Sequence, residues 1–360
     1  MKSIARNDRR THTQLFSLNL IRAVAIVMVV LDHSLHDDLS PDAVFFIKLL
    51  LNPGAMLFFM ISGALLMPVT GSYSHFIRHR VVKVFVPYVV WVLFYAFAYY
   101  WLGMINEYTL AMQIRWSWLS FNFWPGWFVP IIMSLYFVMP LISPWIATAS
   151  RRHFHYVLIV WLAASILPLI QPLAGFRIAY TPGILFLSAV PFAITGYYLT
   201  YYRNRQPLLP AYVLPVAGEG GRPGAYRRWI RRRKLVVLYA LMVTISIVLP
   251  FLFRNAIHSF DFRKLCMDWT ALPGVVLAIF YFSLLVRVTT LGPVTDKVVN
   301  FISRYSYGIY LSHALLHILQ YRYAPEYASS TLVSFAVGFG GGIAVSWLLR
   351  RIPFLGKYMV

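Results

Sequence analysis

Acidic residues are scarce in this chain. Among 360 residues there are 11 aspartates and glutamates against 32 lysines and arginines, and charged residues of both signs reach only 12%. A soluble domain carries roughly a quarter of its residues as charges, so this fraction, beside 60% apolar residues, excludes an ordinary soluble globule. Cysteine is nearly absent as well. The single Cys266 excludes an internal disulfide and a thiolate metal cluster, so metal binding would have to rest on histidines. Internal repeats are lacking, and no stretch reads as a separate soluble domain, so residues 1–360 read as one membrane domain.

What the chain has instead is long apolar runs, many of them near the 20 residues or so that cross a bilayer as a helix. They predict an all-α polytopic bundle of about ten spans, near 16–35, 44–67, 84–105, 127–147, 156–173, 183–202, 235–253, 270–289, 305–321 and 329–349. An even count puts both termini on one side. With that side cytoplasmic, 25 of the 32 lysines and arginines lie inside, nine of them within 203–234. The net charge of +21 is then a topological signature and a means of holding anionic lipid headgroups, and a nucleic-acid partner is a poor reading of it. The stretch 203–233, with its prolines and glycines and its final Arg231-Arg232-Arg233, reads as a basic cytoplasmic loop. The first apolar run ends in Asp32-His33-Ser34 rather than at a small-residue cleavage site, so it reads as a retained anchor. Cys266 falls in a loop that ten spans place outside, where a membrane-impermeant thiol reagent is expected to reach it.

Ionisable residues inside spans are costly and need a partner or a task. Arg22 and His33 share the first span. Eleven residues are close to three helical turns, so the two lie on one face, roughly 16 Å apart along the axis. A histidine near a membrane surface beside a carboxylate can serve as a general base, with Asp32 tuning it; equally, His33 can be a structural histidine and Asp32 a helix cap. In the ninth span, Ser306, Tyr310, His313 and His317 fall at i, i+4, i+7 and i+11, one polar stripe at membrane depth. The stripe suits interhelical hydrogen bonds as well as a functional lining. His313 and His317 at i, i+4 could ligate a metal, but no glutamate lies between them and no third ligand has a suitable spacing. Arg80 and Lys83 at the start of the third span share a helical face that suits a phosphate-bearing ligand, while cations there also satisfy topology alone. Trp116, Trp118, Phe121, Phe123, Trp124 and Trp127 read as an interfacial belt or a stacking platform for sugars. Gly338, Gly340, Gly341 and Gly342 read as sites of close helix packing.

Taken together, these segments resemble the acyltransferase-3 family of integral-membrane acyltransferases. The resemblance rests on Arg22 and His33, on Leu57-Phe58-Phe59-Met60-Ile61-Ser62-Gly63, on Arg80, Lys83 and Pro87, on Trp127-Phe128, and on Ser306-Tyr307-Gly308-Ile309-Tyr310-Leu311 with His313. Two departures stand out: Asn19 replaces an acidic residue usual three places before the arginine, and Lys83 stands where arginine is commoner. The resemblance implies acyl transfer, most often of acetyl, from cytoplasmic acyl-CoA to a hydroxyl of a cell-envelope carbohydrate, free or lipid-linked, in a bacterial cytoplasmic membrane. It places Arg80 and Lys83 on the CoA phosphates, Arg22 along the extended arm and His33 at the acceptor. Ser62, Ser306, Tyr310 and His313 become candidates for substrate or oxyanion contacts, and no metal is called for. The competing class is a transporter or flippase, for which the lack of an internal repeat is unfavourable.

Overall fold

A computed structural model describes residues 2–36, 38–120, 126–170, 189–203, 237, 240–248, 250 and 266–352, with the side chains of 2–14, 116–120, 170 and 202–203 left aside. The basic loop expected at 203–233 lies outside the described residues except for Arg203, as do the rings of Trp116, Trp118, Phe121, Phe123 and Trp124. Every element described is helical. They are α1 (Lys2–His33), α2 (Pro41–Leu51), α3 (Gly54–Leu66), α4 (Tyr73–Trp101), α5 (Glu107–Ser120), α6 (Phe128–Thr148) and α7 (Arg151–Ala164), followed by α8 (Leu167–Ile170), α9 (Ala189–Arg203), α10 (Leu272–Leu285), α11 (Pro293–Tyr323), α12 (Thr331–Phe335) and α13 (Gly342–Arg351).

Among the described residues, six stretches are long and apolar enough to cross a membrane: Leu15–His33, Pro41–Leu66, Tyr73–Trp101, Phe128–Thr148, Arg151–Leu169 and Thr331–Arg351. Helix also occupies α9, residues 240–248, α10 and α11, each within or across a further expected span. The 31-residue α11 falls outside the six because its polar stripe dilutes its hydropathy. Large apolar side chains face outward, among them Phe94, Phe97, Trp101, Leu141 and Ile159. A helix whose outer solvent is hydrocarbon keeps such groups outside and satisfies its backbone internally.

Two of these six stretches are interrupted. The second breaks between α2 and α3 at Asn52 and Pro53, where proline supplies no N–H and crowds the preceding turn. The last contains a π-helical segment, Ala336–Gly341, between α12 and α13. Its glycines confirm the expected close packing at three of four places: a methyl on Gly338 would strike His317, one on Gly341 would meet Leu316 and one on Gly342 would meet Ile309, whereas Gly340 faces open space.

The chain's centre is α1, which packs on both α3 and α11, while α3 packs on α9 and α11 on α13. Apolar helices gain little by leaving lipid for one another, so small residues that let backbones touch decide which ones pair. Gly63 and Gly196 are the extreme case. A Cβ on Gly63 would overlap the Ala193 carbonyl of α9, and one on Gly196 would overlap the Met60 carbonyl of α3.

Outside the spans, Asp38 joins the α1–α2 connection to the start of α12. Its carboxylate accepts from the Thr331 hydroxyl and from the Thr331 N–H at 2.8 Å, and the His36 N–H donates to Thr331 Oγ1 at 3.1 Å. Those bonds, the Thr331 hydroxyl first, hold the Asp38 carboxyl below the usual carboxylate range. Cys266 corrects an expectation. Its thiol is buried against Leu49, and burial pushes it up to about 12, so it is no reagent-accessible marker of the outer surface.

Candidate active site

Arg22 lies on the face of α1 that looks into the bundle. Its guanidinium donates to Ser303 Oγ at 3.4 Å; Ser303 in turn donates to Asn19 Oδ1 at 3.1 Å, and Asn19 Nδ2 donates to Asn300 Oδ1 at 2.8 Å. Asn19 therefore enters a neutral network. Among the described residues no carboxylate pairs with Arg22, so its positive charge is left for an anionic or strongly dipolar ligand.

Beside Arg22 is a cavity of about 240 Å³, walled by Ser62 and Phe58 of α3, by Phe128 and Tyr136 of α6, and by Ser306 and Tyr310 of α11. Four residues singled out in the sequence thus meet at one hollow: Arg22, Ser62, Ser306 and Tyr310. The serine hydroxyls are turned to their own helices, Ser62 donating to the Phe58 carbonyl and Ser306 to that of Ser303, each at 2.9 Å. The Tyr310 hydroxyl is within hydrogen-bonding reach of the Phe128 N–H, one of the amides that the start of α6 leaves without an intrahelical partner.

One turn beyond Val29, at the end of α1, the imidazole of His33 meets that of His313, with ring centroids 5.2 Å apart. His313 follows Tyr310 by 5.9 Å and precedes His317 by 6.0 Å, so the α11 stripe runs unbroken from the cavity to His33. The ring nitrogens report their tautomers. A carbonyl can only accept, so the 2.8 Å contact of His33 Nδ1 with the Val29 oxygen places a proton on Nδ1 and leaves Nε2 as the basic nitrogen. His313 Nδ1 donates likewise to the carbonyls of Tyr310 (2.7 Å) and Ile309 (3.2 Å). His317 does the reverse, donating from Nε2 to Ser334 O at 3.1 Å in the space that Gly338 leaves open.

Other candidates fall elsewhere. Asp32 makes no described hydrogen bond to His33; successive residues of a helix diverge by about 100°, and Asp32 lies within electrostatic reach of Lys48 on α2. Arg80 is half-buried and Lys83 exposed, and neither lines the cavity, which receives Val84 from that turn of α4. Among the described residues no group of three or more histidine, cysteine or acidic side chains is arranged to hold a metal ion.

Three tyrosines were given no role of their own in the sequence, although Tyr307 stands within one of the quoted segments. Tyr136 lies in hydrogen-bonding reach of Ser62 and in electrostatic reach of both Arg22 and Arg80, linking the cavity to the cationic start of α4. Its signal was faint: Phe128, Ile132 and Tyr136 stand at i, i+4 and i+8 in an otherwise apolar span. Tyr307 donates to the Val84 carbonyl at 2.7 Å, tying α11 to α4 just before Pro87. Tyr95 contacts the backbone of α11 beside His313.

An arginine-bearing hollow joined by a polar stripe to an imidazole, inside a bundle of apolar helices, fits a membrane-embedded group-transfer enzyme. The chain belongs to the acyltransferase-3 family, whose acyltransferase domain matches residues 15–351 and so includes every site residue named above. No curated protein and no solved structure matches the chain.

Proposed function

We propose that this membrane acyltransferase moves an acyl group, most simply acetyl, from cytoplasmic acyl-CoA to a hydroxyl of a carbohydrate, free or lipid-linked, on the far side of a bacterial cytoplasmic membrane. The observation that carries the reading is the His33 tautomer: Nδ1–H is spent on the Val29 carbonyl, so Nε2 is a proton acceptor at the end of a polar path that begins at Arg22. Ten spans with both termini cytoplasmic put Arg80 on the donor side and His33 near the acceptor side.

In this reading Arg80 takes a CoA phosphate, with Tyr136 between it and Arg22, and Lys83 adds charge at the surface. Arg22 steadies the extended donor arm in the cavity. His33 Nε2 removes the proton of the acceptor hydroxyl as that oxygen forms a bond to the thioester carbonyl carbon. The tetrahedral oxyanion is met by the Tyr310 hydroxyl; Ser62 and Ser306, which donate to their own helices, shape the wall. When the C–S bond breaks, the electron pair leaves on sulfur, and the imidazolium of His33 returns the proton to the CoA thiolate. His313 holds the His33 ring from its far side. Trp127, exposed at the start of α6 with its ring 5.7 Å from Trp269, offers aromatic surface for a sugar face.

The test is incorporation of radiolabelled acetyl from acetyl-CoA into the carbohydrate fraction of membranes. His33→Gln should lower the rate by at least about a hundredfold at equal levels of folded protein. Wild-type incorporation by that variant would overturn the mechanism, and CoA-independent solute uptake by purified protein would point to a carrier instead.

A further inference from the structure

Tyr95 lies on α4, fully buried, and reaches across to α11. Its hydroxyl donates to the Leu311 carbonyl at 3.0 Å and accepts from the Leu315 N–H at 2.9 Å. In an undisturbed α-helix those two groups belong to each other, since the N–H of residue i bonds the carbonyl of residue i−4. A phenol that engages both sits in a rung of the helix ladder, and side chains inserted there bend or open a helix locally. The rung is centred on His313.

The ring of His313 is held from the same stretch of backbone, through the carbonyls of Ile309 and Tyr310. Any change in the pitch of α11 between 309 and 315 therefore turns the His313 ring, and with it the surface against which His33 stands. We propose that Tyr95 is a positioning residue for the transfer reaction: its hydroxyl, seated in the Leu311–Leu315 rung, sets the approach of His313 to His33. The inference rests on the acyl-transfer reading above. Nothing in the sequence pointed to Tyr95, one of several aromatics in an apolar span.

Tyr95→Phe removes one oxygen and keeps the packed ring. Because reacting groups displaced by about 1 Å lose around a hundredfold in rate, kcat is expected to fall by about ten- to a hundredfold. The KM values for acetyl-CoA and acceptor should stay within about twofold, since no ground-state substrate contact is removed. Rates are taken per folded, monodisperse protein. Tyr99→Phe, one turn further along α4 with its ring 6.1 Å from that of Tyr95, is the control and should leave both parameters unchanged. A readout independent of activity is the ¹⁵N-histidine spectrum, in which the ring signals missing from His313→Gln should move in Tyr95→Phe and stay put in Tyr99→Phe. An unmoved His313 signal, an unchanged kcat or an effect confined to KM would overturn the inference. If Tyr95→Phe does not fold, a fluorinated tyrosine at position 95 keeps the shape and makes the hydroxyl a stronger donor and weaker acceptor, and the same signal and kcat should respond. Wild-type activity in His33→Gln would instead strike the acyl-transfer reading while leaving the Tyr95–His313 coupling to stand or fall on the spectrum.

Discussion

The contact between α3 and α9 and the contact between α1 and α11 belong to one bundle, linked by the packing of α1 on α3, and are built on opposite principles. The first is dry. Gly63 and Gly196 bring two backbones together so closely that neither tolerates a methyl group, and the walls around them are Phe59, Met60, Phe192 and Ala193, all buried. The second carries a polar seam beside apolar contacts such as Leu20 with Val299: Asn19, Arg22, Ser34, Asn300, Ser303 and His317 meet across it, and the α1–α11 pair also brings His33 to His313. In a membrane the first kind of contact provides rigidity through packing, and the second places polar groups where lipid cannot reach them. The difference teaches that the closest packing and the polar path run along different helix pairs, so structure and activity should be separable by mutation.

The largest effect should come from the dry contact. Gly63→Leu forces a side chain into the Ala193 backbone, at or above the top of the roughly 1–3 kcal/mol range for overpacked cores, and should yield no monodisperse protein in detergent. A Gly63→Leu variant that melts like wild type would show that α3 and α9 are not joined as described. Second comes the loss of activity in His33→Gln, expected without a matching fall in melting temperature; parallel losses of both would erase the separation between the two contacts.

Third is the donor side. Arg80→Gln should raise the KM for acyl-CoA by about tenfold to a hundredfold, the weight of one charge-assisted contact, with little change in the acceptor KM. Lys83→Gln should do less, because Lys83 is exposed and its charge screened. Arg78→Gln, equally exposed, should do least. Equal shifts for Arg78 and Arg80 would mean that these cations act through topology or surface potential alone.

The smallest effect lies outside both contacts. Asp38 has its folded-state pKa lowered by Thr331, so its contribution is present above the unfolded value and is lost as pH falls through the folded one. Asp38→Asn should therefore melt slightly below wild type at neutral pH, and the gap should close as the pH drops below about 4. A gap that does not narrow at all as the pH falls through the acid range would place the effect in packing rather than in the charge.

The local pattern of residues was enough to read an all-helical membrane bundle and its polar stripes. Apolar runs of membrane-spanning length are a property of consecutive residues, and so is the three-turn spacing that sets Arg22 and His33 on one face of α1, or Ser306, Tyr310, His313 and His317 on one face of α11. Which faces meet was not legible, because that depends on backbones hundreds of residues apart in the chain. Only the tertiary structure pairs Gly63 with Ala193, brings Lys48 of α2 within electrostatic reach of Asp32, buries Cys266 in a segment read as an exposed loop, and sets Tyr136 within electrostatic reach of both Arg22 and Arg80. Tyr95 is the clearest instance: in sequence it is one more aromatic residue in an apolar helix, and its task exists only because α11 brings a rung of its own backbone, beside His313, within reach of a phenol.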